Sequence, residues 1–251
     1  MNLRKRLISI FTLLIIIVIG WMVFDRTNRP PVTYGDYGVN IPQNYPHLGV
    51  DVSHYQEKVN WSYVSHMTIE EDSIEFVFIK ATEGTEFRDE RLEDNAKGAD
   101  LEKMKYGFYH YYRTEMSAVQ QADFFIEEIS EYDYNLVPVL DLEVSGDLRN
   151  DELVDSATVF MNRVELKSGY RPLLYTYESF YKDYFEKSSL ATENFWIANY
   201  NGKCDLMAKE NFLVWQFSDK GTVNGIKSNV DLNIAKESFY DRCEIKKGVN
   251  E

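Results

Sequence analysis

Apolar positions in this chain follow two spacings. Short runs at residues 48–52, 74–79, 106–112, 136–142, 171–177, 195–200, 212–217 and 229–234 are rich in β-branched, leucyl and aromatic side chains and read as strands. Between several of them the spacing lengthens to that of a helix. Residues 91–103 follow the second run. Residues 117–130 follow the third, with Ser117 as N-cap and Ala118, Ala122, Phe125 and Ile129 along one face. Residues 151–167 follow the fourth and stop at Gly169, where a helix-ending glycine is expected. After the fifth run only a short stretch at 179–185 keeps helical character, and the last connections read as loops. Strands alternating with helices predict parallel pairing and an α/β fold. Eight strands in this length predict an irregular, TIM-like (β/α) barrel with its last helices degenerate; the alternative is an open doubly wound sheet. Either fold puts chemistry at the carboxyl ends of its strands.

The pattern before residue 47 is different. Arg4, Lys5 and Arg6 precede an 18-residue run, 7–24, whose only polar side chains are Ser9 and Thr12. That length is at the lower limit for a spanning helix, and the basic cluster would stay cytoplasmic. No small-x-small cleavage pattern follows the run. The expectation is therefore an uncleaved single-pass anchor at 1–24 with the remainder outside the cell, secretion after signal cleavage being the alternative. Residues 25–46 hold Pro30, Pro31, Pro42 and Pro46, four of the six prolines, and read as an extended linker. The barrel is expected over 47–240 and a polar tail over 241–251.

Charge narrows the partners. Of 27 bases and 41 acids, three bases and no acid lie in 1–24, which leaves a net −17 on the remainder. Such a surface repels phosphate backbones, so nucleic acid is not an expected partner. Cys204 and Cys243 are the only cysteines. They show no metal-ligand spacing, and an extracellular location would allow them to pair. No cofactor or metal is expected. The sequence lacks a GxSxG elbow, a GxGxxG turn, a phosphate loop and an HExxH helix, and the loop spacing of oxygen ligands that calcium needs is missing. Oligomeric state is not legible.

The chemistry-bearing residues gather at strand ends. Asp141 and Glu143 close the fourth run two residues apart, so they point the same way while Leu142 points the opposite way. Paired acids at the end of an apolar strand oppose each other's ionisation, and one should carry a raised pKa, the condition for a general acid. Asp51, Glu83 and Asp231 end or enter other runs. Aromatics accompany them: Tyr109, Tyr111, Tyr175, Tyr177, Tyr200, Trp196 and Trp215. Each alone is a core residue by default; acids together with aromatic platforms describe a carbohydrate site. His110, in mid-strand, is expected to be a hydrogen-bonded core histidine.

Seven ordered pieces carry a resemblance: Gly-Val-Asp-Val-Ser-x-x-Gln at 49–56, Phe-Ile-Lys-Ala-Thr-Glu-Gly at 78–84, Gly-Phe-Tyr-His-Tyr at 107–111, Asp-Leu-Glu at 141–143, Trp-Ile-Ala-Asn-Tyr at 196–200, Trp-Gln-Phe at 215–217 and Val-Asp-Leu-Asn at 230–233. In this order, over roughly 48–235, they resemble the glycoside hydrolase family 25 lysozymes. The resemblance implies an irregular (β/α) barrel that cleaves the β-1,4 bond between N-acetylmuramic acid and N-acetylglucosamine in peptidoglycan. By position it implies Glu143 as general acid, Asp141 as its partner, and Asp51 and Asp231 as the other acids of the site, with Tyr109, Tyr175 and Trp196 lining the groove. Retaining, inverting and substrate-assisted courses all stay open, the last being favoured. A non-catalytic glycan-binding barrel and a hydrolase of another N-acetylated polymer such as chitin stand as alternatives.

Overall fold

The computed structural model describes residues 37–69 and 72–246. The expected anchor at 1–24 and the expected linker up to residue 36 lie outside the described residues. Among the described residues ten strands occur in chain order: β1 (His47–Val52), β2 (Thr68–Ile69), β3 (Asp72–Glu83), β4 (Phe87–Arg88), β5 (Lys105–Tyr111), β6 (Val139–Asp141), β7 (Leu173–Tyr177), β8 (Phe195–Ala198), β9 (Phe212–Gly221) and β10 (Val230–Ala235). The two-residue strands β2 and β4 only flank β3. The other eight close a ring in the order β1, β3, β5, β6, β7, β8, β9, β10 and back to β1. Closure decides for the barrel over the open sheet.

The pairing is not all parallel as predicted. The first seven barrel strands run parallel, but β10 is antiparallel to both β9 and β1. The reason is the connection. Only residues 222–229 separate β9 from β10, and a parallel return needs a crossover of about a dozen residues or more. The reversal matters for the site: the amino end of β10, not its carboxyl end, meets the carboxyl ends of the other strands.

The helices are α1 (Trp61–Ser65), α2 (Leu92–Leu101), α3 (Ala118–Ile129), α4 (Asn150–Ser168), α5 (Glu178–Phe180) and α6 (Phe239–Cys243). Ser117 caps α3 through Gln120 N–H, and Gly169 ends α4 at φ 81°. Past α5 the chain makes a single π-helical turn, Tyr181–Phe185. Alternating strand residues divide the core in two. Outward side chains such as Val77, Ile79, Leu140 and Ile197 pack under the helices. Inward ones, including Phe76, Phe78, Val139, Leu173 and Trp196, fill the barrel. Phe239 of α6 plugs its floor, 4.8 Å from the Phe76 ring.

Three of the boundaries that differ from the sequence reading bear on the packing. The fourth run was expected over 136–142, yet β6 has three residues. Pro138 has no N–H for the ladder, and the N–H groups of Leu136 and Val137 turn to Tyr106 and Cys243 carbonyls. The expected spacer is packed from Tyr37 onward. The Tyr37 side chain is buried, its hydroxyl donates to Asp72 O at 3.1 Å, and Val39, Ile41 and Tyr45 lie on the outer core. Residues 241–246 of the expected tail complete the floor, with Cys243 buried and Ile245 packed on the inner core. Cys204 and Cys243 are both free thiols, one in the outer core and one in the inner, so they do not pair. Among the described residues no helix is long and apolar enough to cross a membrane.

Candidate active site

At the end of the barrel where the parallel strands finish, the apolar filling stops and polar side chains take over the inward positions. On β3 the inward series runs Phe76, Phe78, Lys80; on β6 it runs Val139, Asp141; on β10 it runs Ala235, Asn233, Asp231, read towards the same end. Lys80, Asp141 and Asp231, the last polar members of these series, line a cavity of about 280 Å³ together with Asp51, Ser53, Tyr55, Glu83, Tyr109, Tyr111, Arg113, Glu143, Tyr175, Trp196 and Gln216. The reversed β10 aligns Asp231 with Asp51, the two being Cα partners across the β1–β10 ladder.

Four carboxyl groups thus form two hydrogen-bonded pairs. The first is Asp51 with Asp231. Burial raises Asp51 to about 6, against hydrogen bonds from Asn233 Nδ2 (2.7 Å) and Gln216 Nε2 (2.9 Å) to its Oδ2 that favour the carboxylate. Burial, and then the charge of Asp51, push Asp231 to about 9. The second pair is Asp141 with Glu143. Burial first, and Glu143 second, hold Asp141 well above the usual carboxylate range, so the raised pKa predicted for this pair belongs to Asp141. One of its oxygens, Oδ1, is buried with no hydrogen-bond partner. Glu143 lies just past β6 and accepts a 2.6 Å hydrogen bond from the Tyr177 hydroxyl. Tyr109 stays neutral, raised by burial and then by Asp51 and Asp141.

One edge of the cavity is cationic. Lys80 Nζ donates to Glu83 Oε2 at 2.6 Å, while Arg113 Nε and Nη2 donate to Glu83 Oε1. Burial would raise Glu83, but its two cations outweigh burial and lower it. Lys80 and Arg113 each sit 5.0 Å from the Tyr111 ring centre. Glu83 is therefore an ion-paired wall residue.

The four predicted acids come together, and so do Glu83, Tyr109, Tyr111, Tyr175 and Trp196. Trp196 is only 2% exposed and forms the floor, stacked on Phe78 at 4.8 Å. Tyr200 stands at the rim, 46% exposed, with its hydroxyl 2.6 Å from Gln216 Oε1. Trp215 is not in the site. It faces the outer core beside Phe217 and Tyr45, 3% exposed, and donates to Asn199 O at 2.7 Å. Its neighbours Val214 and Gln216 are the inward residues of β9, so alternation turns it away. The sequence reading missed Lys80, Gln216 and Asn233, although each is a polar residue at an inward position of an apolar strand. It also missed Tyr55, a cavity residue 74% exposed. His110 is a core residue, bonded to Thr82 and Gln121 and driven down to about 3 by burial. Among the described residues no cluster of three or more His, Cys, Asp or Glu is arranged to hold a metal ion.

Comparison with known proteins agrees with this fold. Residues 50–226 match the family described as Glycosyl hydrolases family 25. The Escherichia coli (strain CFT073) protein YegX is 31% identical over 86% of this chain and 79% of its own length. The autolytic lysozyme of Clostridium acetobutylicum is 31% identical over 76% of this chain and 56% of its own length. Among solved structures, a family 25 glycosyl hydrolase from Bacillus anthracis superposes with a TM-score of 0.71 at 26% identity, covering 82% of this chain and 98% of that one.

Proposed function

We propose that this chain, which belongs to glycosyl hydrolases family 25 and is a glycosidase, cuts the β-1,4 bond between N-acetylmuramic acid and N-acetylglucosamine of peptidoglycan, with Glu143 as general acid and Asp141 as its partner. The observation that carries this reading is the Asp141–Glu143 pair, hydrogen-bonded to each other at the cavity wall beside neutral tyrosines. The lysozymes among its relatives support the substrate.

The pair suggests how the acid is armed. In the free site burial keeps the proton on Asp141. A substrate acetamido N–H donating to the partnerless Asp141 Oδ1 favours the Asp141 carboxylate. The proton then passes along the pair to Glu143, which delivers it to the glycosidic oxygen as the C1–O bond breaks. The acetamido carbonyl oxygen, oriented by Asp141, attacks C1; the Glu143 carboxylate then takes a proton from water, whose oxygen bonds to C1 as the bond from C1 to the acetamido oxygen breaks. This substrate-assisted course keeps the anomeric configuration. The test is digestion of purified peptidoglycan by the full chain, with mass analysis of new reducing ends and NMR of the first-formed anomer. Muramic acid reducing ends of retained configuration are expected. Glucosamine ends would overturn the bond assignment, and an inverted first product the acetamido route.

We also propose that the run at 7–24 anchors the chain and leaves the barrel outside the cell, supported by Arg4, Lys5 and Arg6 before an apolar stretch of spanning length. The chain should then sediment with membranes and resist high-salt extraction. Quantitative release of a form starting near residue 25 would show a cleaved signal instead.

A further inference from the structure

Two carboxamides that no step above uses hold the cavity lining: Gln216, which lines the cavity itself, and Asn233, bonded to the lining residues Trp196 and Asp51. Both are buried. A buried amide is destabilising unless its donor and acceptor are both satisfied, and here each is. Asn233 Oδ1 accepts from Trp196 Nε1 at 2.7 Å, and its Nδ2 donates to Asp51 Oδ2 at 2.7 Å. Gln216 Oε1 accepts from the Tyr175 hydroxyl at 2.8 Å and the Tyr200 hydroxyl at 2.6 Å, and its Nε2 donates to the same Asp51 oxygen at 2.9 Å. The orientation of Asn233 is forced. An indole N–H can only donate, so the atom facing Trp196 must be the amide oxygen, and the NH₂ must face Asp51. Asp51 Oδ2 therefore receives two donors and has no room for a proton of its own.

We propose that Asn233 and Gln216 are positioning residues that fix Asp51 as the carboxylate, and Asp231 as the proton-bearing acid, on the β1–β10 wall of the cavity. The proposal rests on the reading of Asp51 and Asp231 as acids of the glycosidase site. It gives the two acids distinct tasks. Asp51 supplies a fixed negative charge for the positive charge that develops at the sugar ring. Asp231 supplies a fixed hydrogen-bond donor. Because Asn233 is tied to the floor tryptophan and Gln216 to the rim tyrosine, the charge is also held in register with the cavity walls. The titratable and charged groups facing Asp51 are Asp231 on β10, Asp141 and Glu143 at the end of β6, Tyr109 on β5, Tyr175 on β7, Tyr200 after β8 and Lys80 on β3.

The test uses carboxyl ¹³C NMR titration of the full chain, which reads Asp51 and Asp231 without substrate, together with the pH profile of kcat/KM on peptidoglycan. In the wild type Asp51 should ionise first, near pH 6, and Asp231 should keep its proton through neutral pH; the reverse order overturns the assignment. Asn233→Leu and Gln216→Met each remove one donor to Asp51. Each should move its titration and the acid limb of kcat/KM to higher pH, and lower activity at neutral pH by about tenfold for each pH unit that the Asp51 titration rises above 7. A folded variant of either kind whose Asp51 titrates as in the wild type would sink the proposal, and the wild-type titration decides if neither variant folds. A wild type that leaves peptidoglycan uncut would count against the glycosidase reading, while the titration order would still stand or fall alone.

Discussion

At the scale of the residue, Asp141 and Glu143 show how two acids separated by one leucine acquire different work. Asp141 is the last residue of β6, 6% exposed, and its proton is held by burial. Glu143 lies beyond the strand, half-buried, with a tyrosine hydroxyl on one oxygen. Glu143→Gln keeps the shape of the side chain but has no proton to deliver. It is expected to reduce kcat by about 10²–10⁴-fold while substrate binding and thermal unfolding change little; wild-type turnover in a folded variant would remove Glu143 from its role. The acids themselves were legible because charge inside apolar runs is anomalous. Lys80 and Asn233 are equally legible by parity, standing two residues from Phe78 and from Ala235, since any polar side chain at an inward position of an apolar strand is anomalous. Trp215 is the opposite case: it lies near a strand end like the site aromatics, but next to the inward Gln216, and alternation turns it to the outer core.

At the scale of the element, the eight barrel strands and the three long helices were readable because each has a strong period and its own stop signal, such as Gly169 after α4. What the period did not show was direction. The eight-residue return from β9 to β10 decides it, being too short for a parallel crossover. The short helices α1 and α6 carry too few turns to display a period. Close packing inside the ring was also invisible. Gly49 on β1 faces the Phe76 ring, and a Cβ there would collide with it. Phe76 cannot retreat, since Phe78 and Phe239 hold it from two other sides. Gly49→Ala is therefore expected to destabilise the fold by about 1–3 kcal/mol, the usual penalty for overpacking a core, measurable as a fall in the urea midpoint. An unchanged midpoint would mean that the barrel floor yields more easily than its packing indicates.

At the scale of the whole molecule, the barrel carries acids where a stable protein would carry none, and this links its stability to pH. Asp231 is raised to about 9 and Asp51 to about 6, and Asp141 is raised as well, burial leading in all three. A carboxyl whose folded pKa lies above its unfolded value near 4 binds a proton in the folded chain that the unfolded chain has released. The folded state therefore loses stability as pH rises through that window, from about 4 to 6 for Asp51 and from about 4 to 9 for Asp231. Total charge works in the same direction, since the chain is already strongly acidic, so a pH curve of the wild type alone does not separate the two causes. Asp231→Asn does separate them. The amide has no proton to lose, and its NH₂ can still donate to Asp51 as the acid did. Relative to the wild type the variant should gain stability with rising pH, with little difference near pH 5 and a clear advantage at pH 8.5. In a domain of this size each kcal/mol appears as about 2–4 °C in Tm. The same substitution should reduce peptidoglycan cleavage, because a site acid is exchanged for stability. Equal Tm differences at the two pH values would show that Asp231 does not carry its proton into the alkaline range.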